Sequence, residues 1–342
     1  MSASTLTRAE PAYRAFEVEV VRARRLSPSF LRMTFSGDDL ALFAADGFDQ
    51  RIKLVLPAAC GARVDPGLFS DDSWFETWRA MPDDERYPLR TYTVRAVRQA
   101  QREVDVDVVL HGVEPGAVTT RGCGLAELLG CACSAQAGPA VRWCAAARAG
   151  DPIVLIGPNA RFEGPAGGIE WQPPADARTV LLAGDETAVP AVCAIVEQLP
   201  ADARGHAFLE VPTEHDVLDV RAPAGVELHW LPRRRVADGG ATAEAEHGSL
   251  LAAAVRAAAP SAVATTAPRP AADVVLDEVD VDHGIMWEVP EQPLAADGLY
   301  AWVAGEAGVV KELRRFLVRD LGVDRRSVAF MGYWRHGRAE AS

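Results

Sequence analysis

The chain has 342 residues, 49% of them apolar, with 35 basic against 48 acidic side chains and a formal net charge of −13. That length allows about two domains of about 150 residues and a sizeable core. The acidic balance excludes polybasic recognition of nucleic acid or of a membrane surface, so an anionic ligand needs positive charge placed locally.

Met1–Arg8 has no apolar stretch of signal-peptide type, and the longest apolar runs, 189–196 and 250–255, are far shorter than a membrane span. Six cysteines are too few for a disulfide framework. A cytoplasmic protein is expected, with no nucleic-acid partner and no stable membrane association, and as a monomer. Lysine occurs only at Lys53 and Lys311. The rest of the basic residues are arginine, so a surviving lysine marks either a need for a compact ammonium or chance.

In chain order, 14–21 alternates Phe16, Val18 and Val20 with Glu17 and Glu19, the period of a half-buried strand. Short strands follow at 30–35, 51–57, 89–97, 104–108 and 153–156, separated by Gly, Pro and Asp. Between them, 70–84 carries Trp74, Phe75 and Trp78 and reads as a helical excursion. Six short strands with little helix predict a small closed barrel. After 165–177 the pattern becomes strand 179–183, helix 190–199, strands 206–211 and 226–231, helix 249–258, strand 300–304, helix 309–321 and strand 328–333. Alternating strands and helices predict a mostly parallel sheet. The stretch 260–282, rich in Ala, Pro and Asp, reads as an exposed excursion. The expected division is a barrel domain over 1–175 and an α/β domain over 176–342.

The segment Arg90-Thr91-Tyr92-Thr93-Val94-Arg95 has the parts a flavin needs: an aromatic ring, hydroxyl donors and a cation for the diphosphate. On a strand, Arg90, Tyr92 and Val94 share one face, and Thr91, Thr93 and Arg95 the other. In order follow His111-Gly112, Gly138-Pro139-Ala140, Trp143, Gly184-Asp185-Glu186-Thr187-Ala188, Gly305-Glu306 and Gly332-Tyr333-Trp334-Arg335. Together these resemble the siderophore-interacting proteins, bacterial flavin-dependent ferric-siderophore reductases of the ferredoxin-reductase superfamily, over about 16–340.

The resemblance implies a six-stranded antiparallel Greek-key FAD-binding barrel followed by an α/β NAD(P)H-binding domain with a mostly parallel sheet. It places Arg90 at the FAD diphosphate, Thr91 on the same strand, Tyr92 beside the flavin and Thr93 hydrogen-bonded to it. His111 and the turn Gly138-Pro139-Ala140 complete that site, the alternative for His111 being a satisfied barrel histidine. Gly184, Asp185, Glu186 and Thr187 follow the first strand of the second domain, where α/β folds bind ligands. There Thr187 is expected to cap the helix, leaving N–H groups free for a phosphate, and the two acids to face ribose hydroxyls or the nicotinamide amide.

Arg233, Arg234 and Arg235 are expected just after a strand, where Arg233 and Arg234 could clamp a 2′-phosphate and favour NADPH over NADH, or form a solvated turn. Tyr333 and Trp334 resemble the aromatic pair near the flavin. Lys53 and Arg335 are candidates for drawing an anionic ferric siderophore to the cleft, or are ordinary surface cations. The departure from relatives is an insert at 113–137 with Cys123, Cys131 and Cys133, followed by Cys144. Its spacings match no common metal-ligand pattern, and no metal is expected.

The implied activity is NAD(P)H-dependent reduction of Fe(III) held by a siderophore, releasing Fe(II), with no catalytic acid or base needed because electrons pass through FAD. Two other readings stay open: a ferredoxin or free-flavin reductase of the same superfamily, and a siderophore-binding module without turnover.

Overall fold

The computed structural model describes residues 10–58, 63–69, 73–110, 113–115, 131–133, 137–164, 167–236, 242–264, 286–294 and 298–337. Strands β1 (Tyr13–Arg25), β2 (Phe30–Ser36), β3 (Arg51–Val55), β4 (Leu89–Arg98), β5 (Glu103–Val109) and β8 (Pro152–Pro158) close a barrel in the order β1-β2-β5-β4-β3-β8. Every neighbouring pair is antiparallel. Phe16, Phe35, Ile52, Leu54, Val94, Val106 and Leu155 fill its interior. Helix α1 (Trp74–Ala80) lies outside, with Trp78 packed against Val55, Leu89 and Ile156. A short pair, β6 (Val113–Pro115) with β7 (Cys131–Cys133), is all that is described of residues 113–136.

The period-two pattern of β5 predicts one wet face, yet Asp105 and Asp107 are as buried as their valine neighbours. Asp105 accepts from Thr34 Oγ1 at 2.6 Å and from both terminal nitrogens of Arg98, while Asp107 accepts from Arg32 Nε at 2.6 Å. Arg95, 3.7 Å from Asp107, also bonds Glu197 of the second domain at 2.7 Å. The polar face of the strand is therefore sealed by arginines and by the neighbouring domain, because buried carboxylates persist where they are paired.

The second sheet has seven strands in the order β12-β11-β10-β9-β14-β15-β13. Its five central strands are parallel: β11 (Gly225–Val236), β10 (Arg204–Thr213), β9 (Thr179–Gly184), β14 (Leu299–Glu306) and β15 (Val328–Trp334). Antiparallel edge strands β12 (Thr242–Glu244) and β13 (Trp287–Glu288) close the two sides. Helices α3 (Val189–Val196), α4 (Ser249–Ala264) and α5 (Ala307–Arg314) cover the sheet, whereas α2 (Pro139–Ala146) packs on the barrel. Chain order reverses at β9, which lies between β10 and β14.

Two expectations change here. The exposed excursion does not begin at 260, because α4 continues through Pro260 to Ala264; 265–285 lie outside the described residues. The triple arginine does not follow its strand but lies within β11, where Arg234 pairs with Glu244 and Arg235 with Ala243.

The two units meet around buried carboxylates. Asp216, completely buried, accepts from Ser27 Oγ at 2.7 Å, Ser29 N at 2.8 Å and Thr213 Oγ1 at 2.7 Å. Asp49, also completely buried, accepts from Trp302 Nε1 at 3.1 Å, Glu170 N at 3.1 Å and Trp171 N at 3.0 Å. Burial pushes the Asp49 carboxyl up to about 6 against these hydrogen bonds. Folded protein then holds this proton more tightly than unfolded chain, so the contribution of Asp49 to stability falls as pH rises from about 4 to about 6. Asp49→Asn is expected to gain up to about 3 kcal/mol relative to the parent across that interval. Urea midpoints at pH 4.5 and 7 measure this, and a parent–variant difference independent of pH would contradict it.

Candidate functional site at the carboxyl edge of the sheet

In α/β sheets the crevice at the carboxyl ends of the strands, where chain order reverses, is where ligands bind. Here that point is the turn after β9, Gly184-Asp185-Glu186-Thr187, beside the end of β14 at Gly305-Glu306. The strands approach closely: a Cβ on Gly305, whose φ is +143°, would stand 2.6 Å from an Asp185 carboxylate oxygen. A side chain there is excluded both by backbone conformation and by contact.

Asp185 organises the turn. Its side chain accepts from Thr187 N at 2.9 Å, Glu306 N at 2.8 Å and Trp334 Nε1 at 2.8 Å, and it is 1% exposed. Thr187 does not cap the helix as expected; its hydroxyl donates back to Asp185, and α3 starts after Ala188 without a side-chain cap. Glu186 does not face outward either. It is 3% exposed and holds Arg233 through both oxygens, at 2.6 and 2.7 Å.

Arg233 is held by carboxylates of the fold. It spans Glu186 and Glu210, the latter at 3.2 Å, and burial sets its exposure at 10%. Burial alone would lower its pKa, but the bonds to Glu186 and Glu210 outweigh this and hold it above its ordinary value. Glu210 is satisfied in turn by Gly248 N at 2.7 Å and Leu251 N at 2.9 Å, which fixes the start of α4. Arg234 remains on the surface, 3.6 Å from Glu244.

His247 belongs to this cluster and was not singled out in the sequence. Its Nε2 stands 3.3 Å from Glu186 and 3.7 Å from Asp185, and its ring meets Trp334 edge-on at 5.0 Å. Burial opposes its protonation, but the contact with Glu186 and the charge of Asp185 raise its pKa overall. Asp185 is raised too, by burial first and by Glu186 second. The signal was the same one used for Gly184–Thr187: Glu246-His247-Gly248 joins the sheet to a helix.

Tyr333 lies inside the junction of the two domains, stacked on Trp287 at 6.0 Å and edge-on to Trp302 at 6.1 Å. Trp287 carries on its ring the guanidinium of Arg51, the first residue of β3, 4.5 Å from the centroid. Arg51 is also ion-paired with Glu170. Arg51, Trp287 and Tyr333 thus join the barrel to the last strand of the sheet. Tyr333 Oη and His247 Nδ1 are buried without a partner among the described residues, two polar atoms that a polar ligand would satisfy.

On the barrel, β3 and β4 pair Lys53 with Thr91, Ile52 with Tyr92, Leu54 with Arg90 and Arg51 with Thr93. Tyr92 packs against the barrel core and Thr93 is buried. Lys53 Nζ donates to Thr91 Oγ1 at 3.2 Å, and Arg335 stands just past β15. Gly138 precedes α2 with Pro139 and Ala140 in its first turn, and among the described residues nothing beyond its chain neighbours lies within 4 Å of where a Gly138 Cβ would be. A helix start of this kind is where backbone N–H groups can meet a phosphate. His111, Cys123 and the side chains of Cys131 and Cys133 lie outside the described residues. Cys144 is a core filler, its thiol pushed up to about 12 by burial.

Residues 19–162 match the siderophore-interacting FAD-binding domain, and 177–337 match the siderophore-interacting protein family. The chain is 33% identical over 326 residues to an uncharacterized protein of Mycobacterium tuberculosis, covering 94% of this chain and 90% of that one. It is 27% identical over 323 residues to the ferric vibriobactin reductase ViuB of Vibrio cholerae, with the same coverage. The structure of the siderophore-interacting protein SipS from Aeromonas hydrophila aligns with a TM-score of 0.61 and 28% identity, over 96% of this chain and 94% of that one. The barrel followed by a sheet with helices is the FAD-binding, ferredoxin-reductase-like arrangement, and no helix among the described residues is long and apolar enough to cross a membrane. With both halves of the chain matched, this flavoprotein belongs to the siderophore-interacting protein family.

Proposed function

We propose that this protein is a cytoplasmic NAD(P)H-dependent ferric-siderophore reductase, divided into a flavin unit at 1–175 and a nicotinamide unit at 176–342. The observation that carries the reading is the stack of Arg51, Trp287 and Tyr333, which joins the paired strands β3 and β4 to the carboxyl edge of the sheet. Two cofactor sites on either side of one junction suit electron transfer between them. The relative named ferric vibriobactin reductase supports the substrate class.

A bound FAD would supply hydride acceptance from a nicotinamide and single-electron delivery to Fe(III); softer Fe(II) would then be held less well by the oxygen donors of a siderophore. The chain's residues position and attract. Arg90 and the backbone N–H groups of the turn at Gly138 and Ala140 would hold the diphosphate, while Tyr92 and Thr93 would hold the ring. Gly184 ends β9 at the nicotinamide site, and Asp185 fixes Trp334 through its indole N–H. Of the two arginines expected to clamp a 2′-phosphate, Arg234 is the one on the surface, placed to favour NADPH over NADH.

Lys53 and Arg335 follow Arg51 and Tyr333 in the chain by two residues each. On a chain of net charge −13 they form the local positive funnel for an anionic ferric chelate. Replacing both by Ala is expected to raise KM for an anionic ferric chelate about tenfold, with FAD content and flavin reduction by NADPH preserved. Steady-state kinetics at two ionic strengths check this. Equal losses on a neutral chelate, or unchanged salt dependence, would contradict it.

A further inference from the structure

Away from the carboxyl edge, three metal-ligating side chains converge near the amino ends of β10 and β11. His206 and Glu227 are register partners, and His229 lies two residues further along β11, opposite Phe208. His206 Nδ1 stands 3.1 Å from His229 Nε2, and Glu227 Oε2 is 3.7 Å from the first and 3.5 Å from the second. The same three atoms define all three distances. A triangle with these edges has a centre about 2.0 Å from every corner, matching zinc bonds of about 2.0–2.2 Å to imidazole nitrogen and carboxylate oxygen.

The two imidazoles are held in place before any ion arrives. Phe208 stacks on His229 with centroids 4.7 Å apart and planes 18° apart, and on His206 at 5.8 Å and 25°. All three side chains stand on adjacent strands rather than on loops, which favours a precise site. The imidazoles are 30% and 35% exposed and Glu227 is 69% exposed, so an ion can enter and keep bound water.

We propose that His206, Glu227 and His229 form a surface site for a divalent first-row transition-metal ion, with water in its remaining coordination positions. Two imidazoles and one carboxylate are a donor set that Zn2+ and Fe2+ both take. Fe2+, the product of the reaction proposed above, falls in this class; that link rests on the proposed function, whereas the site itself does not. The competing account of the 3.1 Å contact is one N–H···N hydrogen bond between the rings, which binds no metal.

The test is calorimetric titration of chelator-stripped, full-length flavoprotein with ZnCl2, repeated with Fe2+ under anaerobic conditions. One Zn2+ per chain is expected, with Kd on the order of micromolar. His206→Gln and His229→Gln should each weaken it at least about thirtyfold and Glu227→Gln about tenfold. Glu227 is an exposed surface residue, so Glu227→Gln keeps the parent's flavin content and urea midpoint without metal. No zinc uptake, or uptake that all three variants retain, would overturn the site. Zinc binding by a protein that fails to reduce ferric chelates would leave the site standing and remove the proposed function; reduction without zinc binding would do the reverse.

Discussion

Arg233→Ala is expected to lower stability by about 3–5 kcal/mol, the cost of removing one partner from a buried ion pair. The substitution takes from Glu186, 3% exposed, its guanidinium partner, with His247 remaining 3.3 Å away, and takes one of its contacts from Glu210. Urea denaturation followed by circular dichroism measures the loss. A second variant, Arg233→Ala with Glu186→Gln, should recover much of it, because the uncompensated buried charge is then gone. KM for NADPH and for NADH should move together in the single variant, whereas Arg234→Ser should raise KM for NADPH more than for NADH. A stability loss under 1 kcal/mol together with a selective rise for NADPH would return Arg233 to the cofactor phosphate.

Arg90→Ala is the second large effect. A charge-assisted hydrogen bond contributes about 1.5–3 kcal/mol, so FAD should bind about ten- to hundredfold more weakly and purified protein should be depleted in flavin. Arg90 is paired across the ladder with Leu54, and its guanidinium bonds the Leu89 carbonyl at 2.7 Å. The barrel interior, built from Ile52, Leu54, Phe16 and their neighbours, does not depend on that charge. Far-ultraviolet circular dichroism should therefore match the parent while absorbance near 450 nm falls, about the flavin maximum. Full flavin occupancy would remove Arg90 from the diphosphate site.

The barrel and the parallel sheet were legible in the sequence because local pattern decides them. Period-two alternation in β1 and the continuous apolar run of β9 each reflect which faces a strand buries. What the pattern hid is burial supplied by distant segments. Asp105 and Asp107 read as a wet face, yet Arg32, Arg95 and Arg98 and the second domain cover them. The strand was expected to end at Leu231 with the three arginines after it, but Arg233 is drawn inward by Glu186 and Glu210, and β12 pairs with Arg234 and Arg235. Thr187 has the right chemistry for a cap, and Asp185, two residues earlier, takes its hydroxyl instead. Asp49 gave no signal at all, because its donors lie 121, 122 and 253 residues away in the chain. The flavin strand was visible through the run Arg90 to Arg95, whereas His247 needed the strand–loop–helix rule applied a second time.

Under the proposed function, electrons pass from NADPH through the bound flavin to iron held by a siderophore. The most direct measurement is an anaerobic spectrum of the purified protein through two additions. NADPH should bleach the oxidised-flavin band, and a ferric siderophore added next should restore it while a ferrous-specific chelator reports released Fe2+. A flavin that NADPH bleaches and the ferric siderophore leaves bleached, with no ferrous iron formed, would contradict the account.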